Sequence, residues 1–408
     1  MYDVIVVGAR CAGASLAMLL ARQGARVLMV DRATFPSDIP HGHFIHRHGP
    51  PRLQRWGLLD AIAAASPPIT AAVTDFGDFP LVSRGLEIDG VAWGYAPRRV
   101  TLDKILFDAA VAAGVEARMG INVDEYLTDD GAIAGIRGRS AGGQAVEERA
   151  TITVGADGRN SRLAHTVQAP TYKEEPKLTG YYFSYWQDVE AEPFEMYVRN
   201  AQRRAILSFR TDNEAFAVFV TFPIEELPQI RTDVEGEYRR VLELAPHFAA
   251  RVLAGHRNER FYGATDLPNF YRKPYGPGWA LVGDAGAHKD PFMALGISDA
   301  LRDAELLATA ISDGLAGKRS MDEALAGYER ERNAASEADY QQNLAAARFT
   351  PTPPEVLGLR AAVRNNPDAS RDMMLANFGR IDPSQFFAPE NLQRLIQAAA
   401  PPDAAGPQ

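Results

Sequence analysis

One segment near the N-terminus constrains the fold of this chain more than any other. Residues 3–7, Asp-Val-Ile-Val-Val, are a short apolar run rich in β-branched residues, which predicts a buried strand. A glycine turn over 8–13 follows, then a helix over 14–22 that ends at Gly24, and a second apolar strand over 25–31. The segment therefore predicts a complete βαβ unit, a building block of doubly wound α/β sheets.

The turn has the spacing of a dinucleotide-binding loop, with one departure. Gly8 allows a tight turn, and Gly13 allows the helix to pack closely on the strand. Arg10 stands where a glycine is usual, so a side chain grows where backbone would approach a phosphate. The free N–H groups of the helix N-terminus would attract an anion, and Asp31 could accept hydrogen bonds from a ribose. A plain βαβ turn that binds nothing is the alternative.

Composition limits the other possibilities. With 408 residues, 46% of them hydrophobic and 23% charged, the chain is long enough for two globular domains. A net charge of −9 argues against a nucleic-acid partner. The single cysteine, Cys11, excludes an internal disulfide. No stretch approaches the ~18 to 20 apolar residues of a membrane span, so we expect a cytoplasmic protein without one.

Two later segments repeat the pattern of a strand followed by a glycine turn. Residues 151–158, TITVGADG, predict a buried strand that ends in a turn holding Asp157. Residues 279–282 predict a short parallel strand that runs into Gly283-Asp284, and a helix follows from about Gly296 to Leu315. Each turn places a carboxylate just beyond a strand end.

These three segments together resemble the motifs of class A flavoprotein monooxygenases, the para-hydroxybenzoate hydroxylase-like FAD-dependent oxidoreductases. The first turn is similar to the FAD fingerprint of that family in a G-A-R-x-A-G variant, residues 155–161 to its DG motif and residues 278–304 to its GD motif. The geranylgeranyl reductase branch shares all three. The resemblance covers most of 1–170 and 265–315 and implies FAD as the cofactor.

The resemblance also implies which residues hold FAD. Asp284 would bind the ribityl chain and Arg99 the phosphate or ribityl portion, whereas Asp157 lies near the pyrophosphate. Val123 would meet the adenine through its backbone. The implied set is Gly8, Cys11, Ala12, Gly13, Asp31, Arg32, Arg47, Arg99, Val123, Asp157, Asp284, Pro291, Gly296 and Ile297.

No acid or base pair emerges from the sequence, so the catalytic side chains are unassigned. The turn from Pro291 to Gly296 would pass the flavin ring, and the helix beginning at Gly296-Ile297 would point its N–H groups at the flavin O2 and N1 region. The candidates are therefore the backbone of Pro291, Gly296 and Ile297, together with the side chain of His48. His48 occupies the position of a family arginine that precedes a helix ending in Gly57-Leu58.

Four of the eight histidines lie close together, at His41, His43, His46 and His48. No acidic or cysteine partner is nearby, so we expect no metal site. Arg47 or His48 could face the flavin, or the segment could be a simple polar loop. A second charged group, His288-Lys289-Asp290, could steer a substrate or could pair internally.

The fold class predicted is α/β. A Rossmann-like FAD-binding domain is assembled from residues 1–75, 95–170 and 265–320, and an antiparallel-sheet substrate domain from 76–94 and 171–264. A helical C-terminal segment, 321–408, would have a frayed tail and could cover the site or form a homodimer contact. Dense, alternating aromatic residues between 181 and 222 suggest that one face of the inserted sheet lines an apolar pocket for an aromatic small molecule.

The function that the resemblance implies is monooxygenation. FAD reduced by NADH or NADPH would react with O2 to form a C4a-hydroperoxide, which oxygenates an aromatic or bulky apolar substrate. The alternatives are a flavin-dependent reductase of isoprenoid double bonds and a flavin-binding protein without catalysis. Halogenation is not expected, because the four tryptophans lie in no W-x-W-x-I-P arrangement.

Overall fold

The structure, a computed structural model, describes residues 1–39 and 41–399. The strands are β1 (Tyr2–Val7), β2 (Val27–Asp31), β3 (Ala71–Asp75), β4 (Leu81–Arg84), β5 (Glu87–Ile88), β6 (Val91–Ala92), β7 (Glu116–Met119), β8 (Ile121–Asp129), β9 (Ala132–Ser140), β10 (Ala145–Gly155), β11 (Thr171–Glu175), β12 (Thr179–Gln187), β13 (Phe194–Arg199), β14 (Arg204–Arg210), β15 (Phe216–Pro223), β16 (His256–Arg257), β17 (Tyr262–Ala264), β18 (Asn269–Arg272), β19 (Tyr275–Gly276), β20 (Trp279–Leu281) and β21 (Ala287–His288). The helices are α1 (Cys11–Arg22), α2 (Gly49–Arg55), α3 (Leu59–Ala65), α4 (Arg99–Ala112), α5 (Arg162–Thr166), α6 (Leu227–Ile230), α7 (Val234–Leu242), α8 (Pro246–Ala254), α9 (Gly296–Leu315), α10 (Met321–Ala347), α11 (Pro354–Val363), α12 (Pro367–Asn377), α13 (Pro383–Phe386) and α14 (Pro389–Ala399).

A parallel sheet forms the first half of the molecule. Its strands follow the order β20-β10-β1-β2-β7, and each neighbouring pair is parallel. The helix α1 packs against both α4 and α9 on one face of the sheet. Because helices cover one face and β8, β9 and α5 cover the other, β1 and β2 can be apolar along almost their whole length. The predicted βαβ unit and the α/β class are confirmed.

The second half is a mostly antiparallel sheet in the order β16-β12-β15-β14-β13-β3-β4. Successive side chains point to opposite faces of a strand, so each strand serves two environments. On one face, Tyr182 and Phe222 pack with α7 and α8. On the other face, Phe183 and Phe219 stack with ring centroids 4.3 Å apart. This second face looks toward the edge of the parallel sheet where the glycine turns lie.

The C-terminal segment is helical through α14, and residues 400–408, which include the predicted frayed tail, lie outside the described residues. Arg360 of α11 is almost fully buried and donates to Asp78 and to the hydroxyl of Thr74. This contact ties the C-terminal helices to the β3–β4 edge of the second sheet. None of the described helices is long and apolar enough to cross a membrane.

Two boundaries differ from the prediction. Residues 71–75 form β3, which pairs with β13, so they belong to the second sheet and not to the first domain. Strand β11, at 171–175, pairs with β18 in a small separate sheet. Before β3, Gly57 separates α2 from α3, because its φ of 74° lies outside the helical region.

Candidate functional site

Three glycine turns meet at the carboxyl edge of the parallel sheet. The strands β1, β10 and β20 are parallel neighbours, so their carboxyl ends lie side by side. A Cβ on Gly8, which follows β1, would stand 2.3 Å from the carbonyl oxygen of Ala156, which follows β10. A Cβ on Gly283, which follows β20, would stand 2.8 Å from the Cβ of Ala12. Segments that are far apart in sequence therefore touch at one point.

Arg10, in the middle of the first turn, is among the residues that line the cavity. Its guanidinium is engaged by the protein, donating to Asp103 at 2.6 Å and to Ser37 at 2.9 Å. Gly13 lies behind the turn, where a Cβ would stand 1.8 Å from the carbonyl oxygen of Gly8. Gly13 thus serves helix packing and does not itself line the cavity. The helix α1 has no side-chain cap, so its first N–H groups are open to an anion.

Asp31 shapes the turn at the end of β2. Its two carboxylate oxygens accept hydrogen bonds from the backbone N–H groups of Ala9 and Ala33, both at 2.8 Å. The carboxylate also lines the cavity, so a ribose hydroxyl would add to these two bonds. Arg32, the next residue, lies at the same rim and is exposed.

The second turn presents polar atoms that lack a protein partner. Asp157 accepts a hydrogen bond from the N–H of Arg162 through one oxygen, and its other oxygen is buried with no donor among the described residues. Burial raises the pKa of this carboxyl above its usual range. The Nε of Arg159 is likewise buried without an acceptor in the described chain, and both side chains line the cavity.

Arg99 lies over the first turn in a small charged group. It pairs with Asp103 at 3.0 Å, and the thiol of Cys11 donates to the same carboxylate at 3.3 Å. Burial raises the pKa of the Cys11 thiol to about 12, so the thiol stays protonated at neutral pH. Val123, expected to meet the adenine through its backbone, lines the cavity, and its carbonyl oxygen accepts a hydrogen bond from Arg162 at 2.9 Å.

The third turn brings a carboxylate and a helix N-terminus to the cavity. Asp284 is exposed to it, and no group in the described part of the chain donates to its carboxylate. The helix α9 begins at Gly296 without a side-chain cap, and its first intrahelical hydrogen bond is donated by Asp299. Pro291, Gly296 and Ile297, which the sequence places beside the flavin ring, line the cavity. The arrangement suits an anionic group.

One cavity of about 770 Å³ joins the three turns to the aromatic face of the second sheet. Its aromatic end is lined by apolar side chains from several strands, which are Phe44, Tyr181, Met196, Leu207, Phe209 and Phe219. The rings of Phe209 and Phe219 lie 5.3 Å apart, and those of Tyr181 and Phe219 lie 5.5 Å apart. Met196 and Leu207 come from β13 and β14, which carry no motif, so no sequence signal pointed to them.

The prediction that Arg47 or His48 contacts the cavity requires correction. Neither is among the residues that line it. Arg47 has a φ of 55°, and its guanidinium pairs with Asp339 of α10 at 2.6 Å. The imidazole of His48 lies 3.9 Å from Asp299, and burial lowers its pKa to about 3. Both side chains are therefore turned toward α9 and α10, behind the turn that precedes α9.

Two other histidines of this segment do line the cavity, His41 and His43. His43 is fully buried, with Nδ1 3.0 Å from the carbonyl oxygen of Ala96 and Nε2 3.1 Å from the hydroxyl of Tyr185. Burial lowers its pKa to about 3. Among residues 1–39 and 41–399, no three histidine, cysteine or acidic side chains converge as a metal site would require.

All three residues of the charged group at 288–290 line the cavity, and each also has a partner elsewhere in the protein. His288 contacts the carbonyl oxygen of Pro268, and Lys289 donates to Asp299 at 2.6 Å. Asp290 is almost fully buried, accepts from the hydroxyl and N–H of Thr179, and lines the cavity. Burial raises the pKa of Asp290 above its usual range. The sequence did not single out Asp290 on its own, and only its position before Pro291 could have done so.

A family model described as an FAD binding domain matches residues 1–343. The chain belongs to this FAD-binding family. It is 26% identical over 339 residues to tryptophan 2-halogenase of Chondromyces crocatus, a match that covers 80% of this chain and 64% of the relative, less than two thirds of its length. It is also 26% identical to digeranylgeranylglycerophospholipid reductase 2 of Methanopyrus kandleri, over 74% of each chain.

Solved structures share the fold of this FAD-binding family member. The myxobacterial chondrochloren halogenase CndH superposes with a TM-score of 0.78 at 20% identity, over 98% of this chain and 96% of its own. PqsL of Pseudomonas aeruginosa, described as a probable FAD-dependent monooxygenase, superposes with a TM-score of 0.72 at 23% identity. The superposition covers 85% of this chain and 95% of PqsL. The similarity to CndH includes the C-terminal helices, which lie beyond the matched family region.

The cavity of this FAD-binding chain fits a long anionic dinucleotide. Its volume lies within the range of ~300–1,000 Å³ found for small-molecule sites. The glycine contacts keep the turns free of side chains, and the buried unpartnered atoms of Asp157 and Arg159 lie beside them. The exposed carboxylate of Asp284 can accept hydroxyl hydrogen bonds. These groups supply donors for phosphates, an acceptor for a polyol chain and a helix N-terminus for the ring.

Proposed function

We propose that this protein is an FAD-dependent monooxygenase that transfers one oxygen atom of O2 to an aromatic or bulky apolar small molecule, with NADH or NADPH as the reductant. The observation that carries the proposal is the continuity of the cavity. The groups suited to a dinucleotide and the aromatic face of the second sheet line the same space. A flavin ring bound where the dinucleotide groups meet the aromatic face would lie next to an apolar substrate.

In this proposal the phosphates of FAD lie at the first two turns. The free N–H groups at the start of α1 and the guanidinium of Arg99 would hold them, and Asp31 would accept from the adenosine ribose. Asp284 would bind the ribityl chain, and the N–H groups of Gly296 and Ile297 would face the pyrimidine edge of the ring. Bound FAD would supply the redox chemistry, accepting two electrons from a nicotinamide and passing them to O2.

The remaining task of the protein is to hold the substrate and to keep water away. Phe44, Phe209 and Phe219 form a rigid aromatic wall that a flat apolar molecule can pack against. Burial of the substrate against this wall removes water from the space beside the ring. The cavity-lining hydroxyl of Thr179 is engaged by Asp290, so substrate orientation would rest mainly on shape.

A flavin-dependent reductase of isoprenoid double bonds is the second candidate. The similarity to the Methanopyrus kandleri reductase, which extends over 74% of both chains, favours it. An elongated prenyl chain would also suit an apolar wall. The two activities differ in their need for oxygen, because only the monooxygenase consumes it.

One experiment separates the candidates. Purified protein loaded with FAD is supplied with NADH or NADPH and screened against phenols, polycyclic aromatics and prenyl alcohols, with oxygen consumption followed and ¹⁸O₂ used as the label. We expect substrate-stimulated NAD(P)H oxidation and one labelled oxygen atom in an aromatic product. Anaerobic reduction of a prenyl alkene would support the reductase instead. A halogenated product formed only with added chloride or bromide would contradict both, as would protein that rejects FAD.

A further inference from the structure

The turn between β21 and α9 is held by side chains from four separate segments. These side chains are His46 from the N-terminal segment, Thr179 from β12, Asn269 from β18 and Asn343 from α10, and all four are buried. Each makes a hydrogen bond to the main chain or to the side chain of residues 290–294. Such a clamp implies that the exact position of this turn matters.

His46 binds the carbonyl side of the turn. Its Nε2 lies 3.1 Å from the carbonyl oxygens of both Met293 and Ala294. Carbonyl oxygens only accept hydrogen bonds, so Nε2 carries the proton and donates to both. The backbone of His46 also joins the clamp, because the hydroxyl of Ser298 in α9 donates to its carbonyl oxygen at 2.6 Å. The imidazole stacks on Phe44 with centroids 4.7 Å apart, which fixes the ring plane.

Asn343 binds the two ends of the same turn. Its Oδ1 accepts from the N–H of Met293 at 3.0 Å, and its Nδ2 donates to the carbonyl oxygen of Asp290 at 2.8 Å. Asn269 accepts from the N–H of Asp290 at 2.7 Å on the opposite side. The turn is thus held at its first residue, Asp290, by two amides and near its end, at Met293 and Ala294, by an amide and an imidazole.

The clamp compensates for an unfavourable backbone. Ala294 has a φ of 52°, in the left-handed region that an L residue with a Cβ adopts at a cost. The C=O and N–H of a trans peptide point in opposite directions, so holding the Ala294 carbonyl on His46 turns the N–H of Leu295 away from His46. Gly296 and Ile297 are the next two residues along the chain, and their N–H groups have no acceptor among the described residues. Both residues line the cavity.

We propose that His46 and Asn343 are positioning residues that hold the N-terminus of α9 against the pyrimidine edge of bound FAD and thereby strengthen the binding of reduced over oxidised flavin. The inference rests on the proposed FAD site and adds to it the side chains that set the flavin reduction potential. Donors fixed in advance stabilise a developing negative charge without having to reorganise. Neither His46 nor Asn343 is among the residues that line the cavity, so both act through the turn.

The test is the two-electron reduction potential of the bound flavin in the full chain. In His46→Phe, which keeps the stacking on Phe44 but removes the donor, and in Asn343→Leu, we expect the preference for reduced over oxidised FAD to fall about tenfold, or about 30 mV toward negative potential. His46→Gln should recover most of the shift, because its amide can donate to the same carbonyls. Tyr340→Phe is the matched control, since it removes a buried hydrogen bond to Lys173 from the same helix.

Two results would overturn the inference. One is an unchanged potential in both His46→Phe and Asn343→Leu with FAD bound at wild-type occupancy. The other is an equal shift in Tyr340→Phe, which would assign the effect to general loosening of α10. If His46→Phe does not fold, Asn343→Leu decides between the same outcomes. Failure of the wild-type chain to bind FAD would refute the proposed function instead, before any variant is compared.

Discussion

The two ends of the cavity are built in different ways. The dinucleotide end is built on backbone turns, and those at Gly8 and Gly283 leave no space for a side chain. The aromatic end is built from side chains, such as Phe209 and Phe219, that four or more strands bring together by their register. The first end therefore tolerates few substitutions. The second can change its shape while the fold stays the same, so under the proposed function it is the end that would select the substrate.

The largest loss of stability should follow when a methyl group is added at the dinucleotide end. In Gly13→Ala a Cβ would stand 1.8 Å from the carbonyl oxygen of Gly8, so α1 cannot remain in place on β1. We expect no cooperative unfolding transition for this variant in urea. Gly296→Ala is the control, because a Cβ there meets no atom within 4 Å, and its unfolding free energy should stay within about 1 kcal/mol of wild type. Equal stability of the two variants would contradict the geometry of the first turn.

Acid should lower the stability of the folded protein through two buried histidines near the aromatic end. Burial lowers the pKa of His43 and of His46 to about 3, whereas an unfolded histidine has a pKa of about 6.5. Below about pH 6.5 the unfolded chain takes up protons that the folded chain does not, so stability is full above that pH and is lost as the pH falls. Each histidine adds a slope approaching about 1.4 kcal/mol per pH unit between pH 6 and 5.

Unfolding free energies measured in urea from pH 7.5 to 5.0 check this slope. His46→Gln removes one of the titrating groups. The slope of the unfolding free energy against pH should therefore fall by the contribution of one proton, about 1.4 kcal/mol per pH unit. An unchanged slope in that variant would mean that His46 is not buried as a neutral ring.

A smaller effect separates the two faces of the second sheet. Phe209→Leu should weaken binding of an aromatic substrate about tenfold, the value of one or two lost aromatic contacts, and leave the Kd for FAD unchanged. Phe222→Leu makes the same change at an equally buried position on the opposite face. We expect it to reduce stability without affecting either ligand. Weakened substrate binding in Phe222→Leu alone would place the substrate on the other face.

The smallest effect is expected at the middle position of the first turn. Arg10→Gly restores the usual glycine, but the Arg10 guanidinium is already paired with Asp103, which keeps Arg99 as a partner when Arg10 is removed. The Kd for FAD should change by less than about threefold, and the partly exposed ion pair should cost about 1 kcal/mol or less when it is lost. Fluorescence titration with FAD measures the first quantity. A tenfold change would show that Arg10 reaches the phosphates after all.

The difference between the two ends of the cavity also explains which features could be predicted from the sequence. The turns at Gly8, Asp157 and Asp284 depend on local strand and glycine patterns, so the parallel sheet and its three corners were predicted correctly, and most of the residues expected to hold FAD line the cavity there. Arg47 was misplaced because the left-handed conformation that turns it toward Asp339 depends on packing against α10. Nothing in the local pattern pairs β3 with β13, or places Asn343 beside the turn before α9.

The most direct test asks whether one ligand occupies the first and third turns together. Apo protein is titrated calorimetrically with FAD and, separately, with ADP, in wild type and in Asp284→Ala. If the account is correct, ADP competes with FAD, and the substitution weakens FAD more than tenfold, the loss of a charge-assisted hydrogen bond, while ADP binding is unchanged. Simultaneous binding of FAD and ADP, or an unchanged Kd for FAD in Asp284→Ala, would contradict it.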